Sequence, residues 1–283
     1  MHTLNCQGKL ITITSPLVMG ILNITPDSFY STSRMLSEQV WRSSSLKMVQ
    51  EGADILDIGG QSTRPGSNQL SWEEEWNRIE QPLIVIRKEH PKILISVDTF
   101  YSEVAERAID AGADLINDIS AGNIDHQMIT KVGKLNVPYI CMHMQGTPAN
   151  MQDNPTYSHV TNEVINFFSN KFIACQEAGI KDIIIDPGFG FGKTIEHNFQ
   201  LFAEMKALHV IGCPILVGVS RKSMIYKTLG IMAEDALLGT TAMHAWALQN
   251  NISMLRVHDV APAKEVIRLW QEIKKAADNS STA

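Results

Sequence analysis

Glu51-Gly-Ala-Asp-Ile-Leu-Asp57 and Ala111-Gly-Ala-Asp-Leu-Ile-Asn117 are two copies of one pattern. In each, a glycine closes an amphipathic stretch, a short step follows, and an apolar run ends in Asp or Asn. Glycine there suits the left-handed residue that terminates a helix. Ala178-Gly-Ile-Lys-Asp-Ile-Ile-Ile-Asp186 is a looser third copy. The repeating unit is a helix, a tight turn and a buried strand, with a hydrogen-bonding side chain where the strand stops.

Working outward from these copies, short apolar runs fall at 17–23, 55–59, 93–98, 115–117, 139–143, 183–186, 215–219 and 254–257. Helical patterns lie between them, among them 38–51, 72–88, 103–111, 159–178 and 233–249. Runs of this continuous apolar kind are strands buried on both faces, as in a parallel sheet covered by helices. Eight such repeats predict an α/β fold, a (β/α)8 TIM barrel over residues 17–277. Residues 1–16 read as an N-terminal β-hairpin turning at Gln7-Gly8, placed to plug the bottom of the barrel. The tail, 278–283, reads as disordered.

Composition narrows the partners. The chain has 283 residues, of which 44% are hydrophobic and 19% charged, as in ordinary globular proteins. A formal net charge of −6 and a pI near 5.8 argue against nucleic acid as a partner. No apolar run is long enough to span a bilayer, and the N-terminal stretch lacks the apolar core of a signal peptide. The four cysteines, Cys6, Cys141, Cys175 and Cys213, are far apart and form no C-x-x-C pair. Reduced, mostly buried thiols in a cytoplasmic protein are the expectation.

The proposed strands end in Asn23, Asp57, Asp98, Asn117, His143, Asp186 and Arg256. Any one Asp or Asn there is well explained as a helix cap. Seven polar ends converging on the rim where barrels place catalytic groups point instead to a site. Asp57, with Gly59-Gly60 behind it, has two readings, as a member of this rim or as a residue that only pins its loop. The loops Asn23-Ile-Thr-Pro-Asp-Ser-Phe29 and Gly59-Gly-Gln-Ser-Thr-Arg-Pro-Gly66 mix glycine or proline with hydroxyls, which suits loops that fold over a ligand. Gly218-Val-Ser-Arg-Lys-Ser223 follows the seventh strand, where barrels often keep an anion. Strand alternation puts Arg256 and His258 on one side, a possible grip for pyrophosphate. A salt bridge from Arg256 to a neighbouring Asp is the competing account.

Two further motifs bear on the ligand. The nine histidines show no zinc spacing, whereas oxygen ligands around a pyrophosphate point to Mg²⁺. Asp186-Pro-Gly-Phe-Gly-Phe-Gly192 is weak as a nucleotide motif and reads better as a loop carrying Phe189 or Phe191 to a flat ligand.

Taken together, these strings resemble the dihydropteroate synthase family. The resemblance runs from about Val18 to His258 and rests on Met19-Gly-Ile-Leu-Asn-Ile-Thr-Pro-Asp-Ser-Phe29, Gly59-Gly-Gln-Ser-Thr-Arg-Pro-Gly66, Asp186-Pro-Gly-Phe-Gly-Phe-Gly192, Ser220-Arg-Lys-Ser223 and Arg256-Val-His258. It implies condensation of a dihydropterin pyrophosphate with p-aminobenzoate, using Mg²⁺, in a homodimer. By the same resemblance Asp98, Asn117 and Asp186 would bind the pterin edge, and Lys222 its carbonyl and ring nitrogen. Met142, Gly218 and Phe191 would line the slot. Thr63, Arg64, Pro65 and Ser220 would position p-aminobenzoate beside Phe29. Asn23, Arg256 and His258 would hold the pyrophosphate with the metal ion, Asn23 being the metal ligand.

Two departures stand out. Where the family usually continues after Phe29 with an acidic residue and two glycines, this chain has Tyr30-Ser-Thr-Ser-Arg34, and Gln61 replaces the more usual Glu. Pterin-dependent methyltransferases share the barrel and would keep an Asp/Asn pterin cluster, but have no reason to keep Ser62-Thr-Arg-Pro65 or Arg256-Val-His258. A non-catalytic pterin-binding barrel is the third reading.

Overall fold

Residues 2–24, 31–61 and 69–281 are described by a computed structural model of the chain, without the side chains of 31–37, 280 and 281. Strand β1 (His2–Cys6) pairs antiparallel with β2 (Lys9–Ile13). Gln7 and Gly8 make the two-residue turn with φ of 50° and 88°, and Gly8 N–H donates to Asn5 Oδ1 at 2.7 Å. Positive φ at both turn residues matches the right-handed twist of the hairpin, and glycine adopts it without a Cβ clash.

Eight parallel strands follow: β3 (Leu17–Asn23), β4 (Ile55–Gly59), β5 (Leu94–Asp98), β6 (Leu115–Asp118), β7 (Tyr139–Met142), β8 (Ile183–Asp186), β9 (Leu216–Val217) and β10 (Met254–Val257). Their spatial order is β8-β7-β6-β5-β4-β3-β10-β9, and a parallel bridge between Ile185 and Ile215 joins the two ends. The strands enclose a barrel.

Helices α1 (Ser31–Gln50), α2 (Trp72–Glu89), α3 (Ser102–Asp110), α4 (Met128–Leu135), α5 (Val160–Glu177), α6 (Ile195–Ala203), α7 (Ser223–Leu229), α8 (Leu237–Gln249) and α9 (Val260–Ser281) alternate with these strands. Helix α2 shows why. Ser71 and Glu74 form a reciprocal capping box at its start, and Trp76, Ile79, Leu83 and Ile86 bury one stripe at helical spacing. That stripe joins the core between helices and strands, where the outward residues Leu56, Ile58, Ile95 and Val97 also lie.

Inside the barrel the alternation of strand side chains sorts residues by height. Met19, Ile55, Leu94, Leu115, Ile140, Ile184, Leu216 and Met254 form one buried cluster with Leu4, Cys6 and Ile13 of the hairpin. The hairpin therefore packs into the N-terminal mouth of the barrel. All four cysteines are free thiols and buried. Among the described residues, no helix is long and apolar enough to cross a membrane.

Three boundaries differ from the sequence reading. Helix α1 begins at Ser31 instead of residue 38. Tyr30-Ser-Thr-Ser-Arg34 contains no glycine, so nothing in it opposes an early start. The stretch 233–249 is broken into a 3-10 turn (Ala233–Asp235) and α8. The tail expected to be disordered from Asp278 is helical through Ser281, continuing α9.

Leu4 is 1% exposed within the stopper. Leu4→Ala should lower unfolding free energy by about 2–4 kcal/mol, the range for a buried leucine truncation. Urea denaturation would show it as an earlier midpoint with unchanged slope. An unshifted midpoint would mean that the hairpin does not contribute to the core.

Candidate active site

Two positions beyond the apolar stopper, the same strands present Ile21, Asp57, Ser96, Asn117, Met142, Asp186, Gly218 and Arg256. This step from apolar to polar begins the site. Asp57 is fully buried, and its Oδ2 accepts from Asn117 Nδ2 at 3.0 Å and Arg256 Nε at 2.6 Å. Arg256 Nη2 donates to Asp98 Oδ2 at 2.6 Å. One guanidinium thus bridges carboxylates on β4 and β5. Burial pushes the Asp98 carboxyl up, while Arg256 pulls it down. Arg256 itself is held above its ordinary value by Asp57 and Asp98, against the effect of burial.

A second cluster lies across the barrel. Asp186, buried at the end of β8, accepts from Gly188 N–H on Oδ1 at 2.8 Å. Its pKa is raised by burial and opposed by Lys222. Gly218 has no side chain where a Cβ would sit 3.7 Å from Asp186 Oδ2 and 3.8 Å from Lys222 Nζ. That gap leaves a carboxylate oxygen and an amine facing one space. Lys222 Nζ also donates to the Phe189 carbonyl and lies 4.7 Å from the Phe191 ring centroid. Burial pushes its pKa down to about 8, opposed by Asp186.

An apolar wall completes this side. Met142 and Met144 cluster with Phe100, Ile119 and Met151, and Phe191 packs against them. Of the two candidate aromatics, Phe191 packs on this cluster and lies against Lys222. Phe189 is fully buried and stacks on Phe202 at 5.6 Å between centroids.

The rim is set by the β9 and β10 ends. Ser220 Oγ lies 3.1 Å from His258 Nδ1 and accepts from the His258 backbone N–H at 3.2 Å. His258 is pushed down to about 4 by desolvation and then by Arg256, so it is neutral at pH 7. Arg221, between Ser220 and Lys222, adopts φ 53° and clamps Asp259 through Nε at 2.7 Å and Nη2 at 3.0 Å. The clamp ties the Ser220 loop to the strand end carrying His258. Asn23 is exposed at the end of β3, paired in register with Gly59.

Asp98, Asn117, Asp186, Gly218, Lys222 and Arg256 therefore converge, with Met142 and Phe191 beside them, and Ser220 and His258 sit above. Arg256 makes the salt bridges that the sequence left as its alternative. His143 does not join the site. It is buried, with Nδ1 at 2.9 Å from Lys193 Nζ. Phe29, Thr63, Arg64 and Pro65 lie outside the described residues. Gln61 is described, and its Oε1 accepts from Leu70 N–H at 3.3 Å. The sequence reading undervalued Asp57, and the period-two step from Ile55 to Asp57 was the signal that could have placed it inside. Lys193 and Met144 carried no such signal.

A sequence profile described as pterin binding enzyme matches residues 19–258. The chain belongs to the pterin-binding enzyme family. It is 40% identical to the dihydropteroate synthase of Haemophilus influenzae over 275 residues, covering 96% of this chain and 99% of that one. Among solved structures, Xanthomonas albilineans dihydropteroate synthase with 4-aminobenzoic acid superposes with a TM-score of 0.88 at 38% identity, covering 96% of this chain and 98% of that one. The same enzyme in complex with 7,8-dihydropteroate gives 0.86 at 36% identity, covering 96% and 99%.

Were Asp98, Asp186 and Lys222 to hold the pterin, their titration would set a pH dependence for its binding. Carboxylates must be ionised to accept from the ring, and burial raises both Asp98 and Asp186, so affinity falls with acid sooner than for an ordinary carboxylate. Lys222, lowered to about 8, loses its charge as pH rises through that value, and affinity falls again. Calorimetric titration with a pterin across neutral pH should give a narrow maximum. A flat profile over that range would remove these groups from the binding site.

Proposed function

We propose that this chain is a dihydropteroate synthase, joining 6-hydroxymethyl-7,8-dihydropterin pyrophosphate to p-aminobenzoate to give 7,8-dihydropteroate and pyrophosphate. The observation that carries this reading is the gap over Gly218, bounded by Asp186 Oδ2 and Lys222 Nζ and walled by Met142 and Phe191. A pterin is flat and presents a 2-amino group beside a ring N–H. A carboxylate accepts such a donor pair much as it accepts a guanidinium. Asp186 supplies that acceptor, Asn117 and Asp98 extend the polar edge, and Lys222 donates to the ring carbonyl and nitrogen.

Chemistry then takes place at the pterin methylene. The amine of p-aminobenzoate attacks this carbon, the C–O bond breaks with its electron pair leaving on pyrophosphate, and the amine's proton passes to solvent. Positive charge developing on the methylene is stabilised by the carboxylates of Asp98 and Asp186. Arg256 and His258 face the departing pyrophosphate, and Ser220, with Thr63, Arg64, Pro65 and Phe29, positions p-aminobenzoate. The rate enhancement is electrostatic and positional, and no covalent enzyme intermediate is needed.

Mg²⁺ fits this donor set in a limited way. No group of three or more His, Cys, Asp or Glu capable of holding a metal occurs among the described residues, but Asn23 places one amide oxygen at the rim. Magnesium commonly takes few protein ligands and completes its shell with water and phosphate oxygens. Asn23 would hold it, and the ion would supply charge neutralisation for the leaving group.

The functional unit is a homodimer. Leu238 is 82% exposed and Trp246 61% exposed on α8, with Met232 and Leu229 exposed on the neighbouring segments. Large apolar side chains in this number on one side of a barrel fit a second copy of the chain. Sedimentation should give twice the chain mass, and Leu238→Glu with Trp246→Glu should give a monomer. A monomeric parent protein would overturn this assignment.

Pyrophosphate release from purified protein, with each substrate and Mg²⁺ omitted in turn, tests the activity. Release should require both substrates and accompany dihydropteroate formation. Asp186→Ala should abolish pterin binding. Pterin binding without condensation would make the chain a binding protein or a methyltransferase instead.

A further inference from the structure

Lys193 follows the β8 loop, is only 3% exposed, and forms no salt bridge among the described residues. Its Nζ donates to the carbonyls of Gly188 at 2.9 Å and Phe191 at 3.1 Å, and lies 2.9 Å from His143 Nδ1. An ammonium has three N–H groups, and here they meet these three acceptors, with the His143 carbonyl a fourth at 3.4 Å. Burial pushes the Lys193 pKa down to about 7, opposed by Asp186. Burial, and then Lys193 itself, push the His143 pKa down to about 2, so the imidazole is neutral and its Nδ1 can accept. An edge-to-face contact with Phe167 at 4.9 Å holds that ring.

The contact is backbone to backbone. A Cβ at Gly188, whose φ is 67°, would lie 1.9 Å from the His143 carbonyl oxygen. The remaining loop groups are also held: Gly190 N–H by Asn198 Oδ1, the Gly190 carbonyl by Gln152, and the Gly192 carbonyl by Tyr157 Oη, each at 2.7 Å. Lys193 closes this set from inside. Its charge also favours the ionised form of Asp186, in company with Lys222 and Arg256.

We propose that Lys193 is a positioning residue for the pterin slot, clipping the β8 loop to the end of β7 so that Phe191 and Asp186 face the ring at a fixed separation. This rests on the reading of the slot as a pterin site. Without the amine, two carbonyls and an imidazole nitrogen in a dry pocket lose their donor, and the loop must open to find water.

The test compares steady-state constants for both substrates in the parent enzyme, Lys193→Met and Lys193→Gln. Loss of one such anchor should raise KM for the pterin pyrophosphate about tenfold or more, a step comparable to one charge-assisted hydrogen bond. KM for p-aminobenzoate should stay within about twofold, a split that general destabilisation would not produce. If neither variant folds, Tyr157→Phe, which removes another donor to the same loop, carries the same readout with a smaller rise. An unchanged pterin KM, or a parallel rise for both substrates, overturns the proposal. A parent enzyme that binds pterin without turnover would strike at the assigned activity instead, and pterin affinity of the variants by calorimetry would still decide the role of Lys193.

Discussion

A closed parallel barrel gives each strand one set of inward positions, spaced two residues apart, and everything at this site follows from how those positions are filled. The lower set is apolar from every strand and is stoppered by the hairpin. The next carries Asp57, Asn117, Asp186 and Arg256. Charges placed there have little access to water and must satisfy one another. Arg256 meets Asp57 and Asp98, and Asp57 Oδ2 also receives Asn117. Such a network adds little net stability against an apolar alternative, but removing one member leaves an uncompensated buried charge. Its value is geometric: it fixes the donors and acceptors before a ligand arrives.

The site is also asymmetric in how its parts are held. The pterin side stands on strand ends and on a β8 loop whose polar groups are tied down by Lys193, Asn198, Gln152 and Tyr157. The Ser220 and His258 side is tied through the Arg221–Asp259 clamp. Asp259 follows His258 directly, and Arg221 separates Ser220 from Lys222. A single bidentate pair therefore sets the spacing between two strand ends that face the same ligand.

Much of this was legible in the sequence. Strands buried on both faces leave continuous apolar runs, so Leu17–Asn23, Ile55–Gly59, Ile183–Asp186 and Met254–Val257 were found with their limits intact. Helix limits were read less well, because an early start at Ser31 or a break near Ala236 depends on weak local preferences. The period-two step could place Asp57 inside, but the partners of Asp57 and Lys193 could not be read locally. Asp57 meets partners 60 and 199 positions away, and Lys193 meets one 50 positions away. Phe189 and Phe191 are equivalent in the motif, and only the turn between them sends one into the core and the other to the slot. A list of polar strand ends likewise contained His143 beside Asp186, although one serves the scaffold and the other the pocket.

The charge balance of the pocket separates binding from chemistry. Asp57, Asp98 and Asp186 face Lys222 and Arg256, with Lys193 behind the β8 loop, so opposite charges largely offset one another across the floor. A neutral pterin entering this space gains little from net electrostatic attraction. Its affinity must come from directional hydrogen bonds and from burial against Met142 and Phe191. Charge that develops later meets a different situation, because it appears on one side only. In the assignment proposed above, charge on the methylene carbon is met by the Asp186 carboxylate and charge on the leaving group by Arg256 and His258, so a pocket nearly neutral as a whole is polarised along the bond that breaks. Dipoles fixed in advance in a dry site stabilise that separation without reorganising, which is where an enzyme of this kind gains most of its rate.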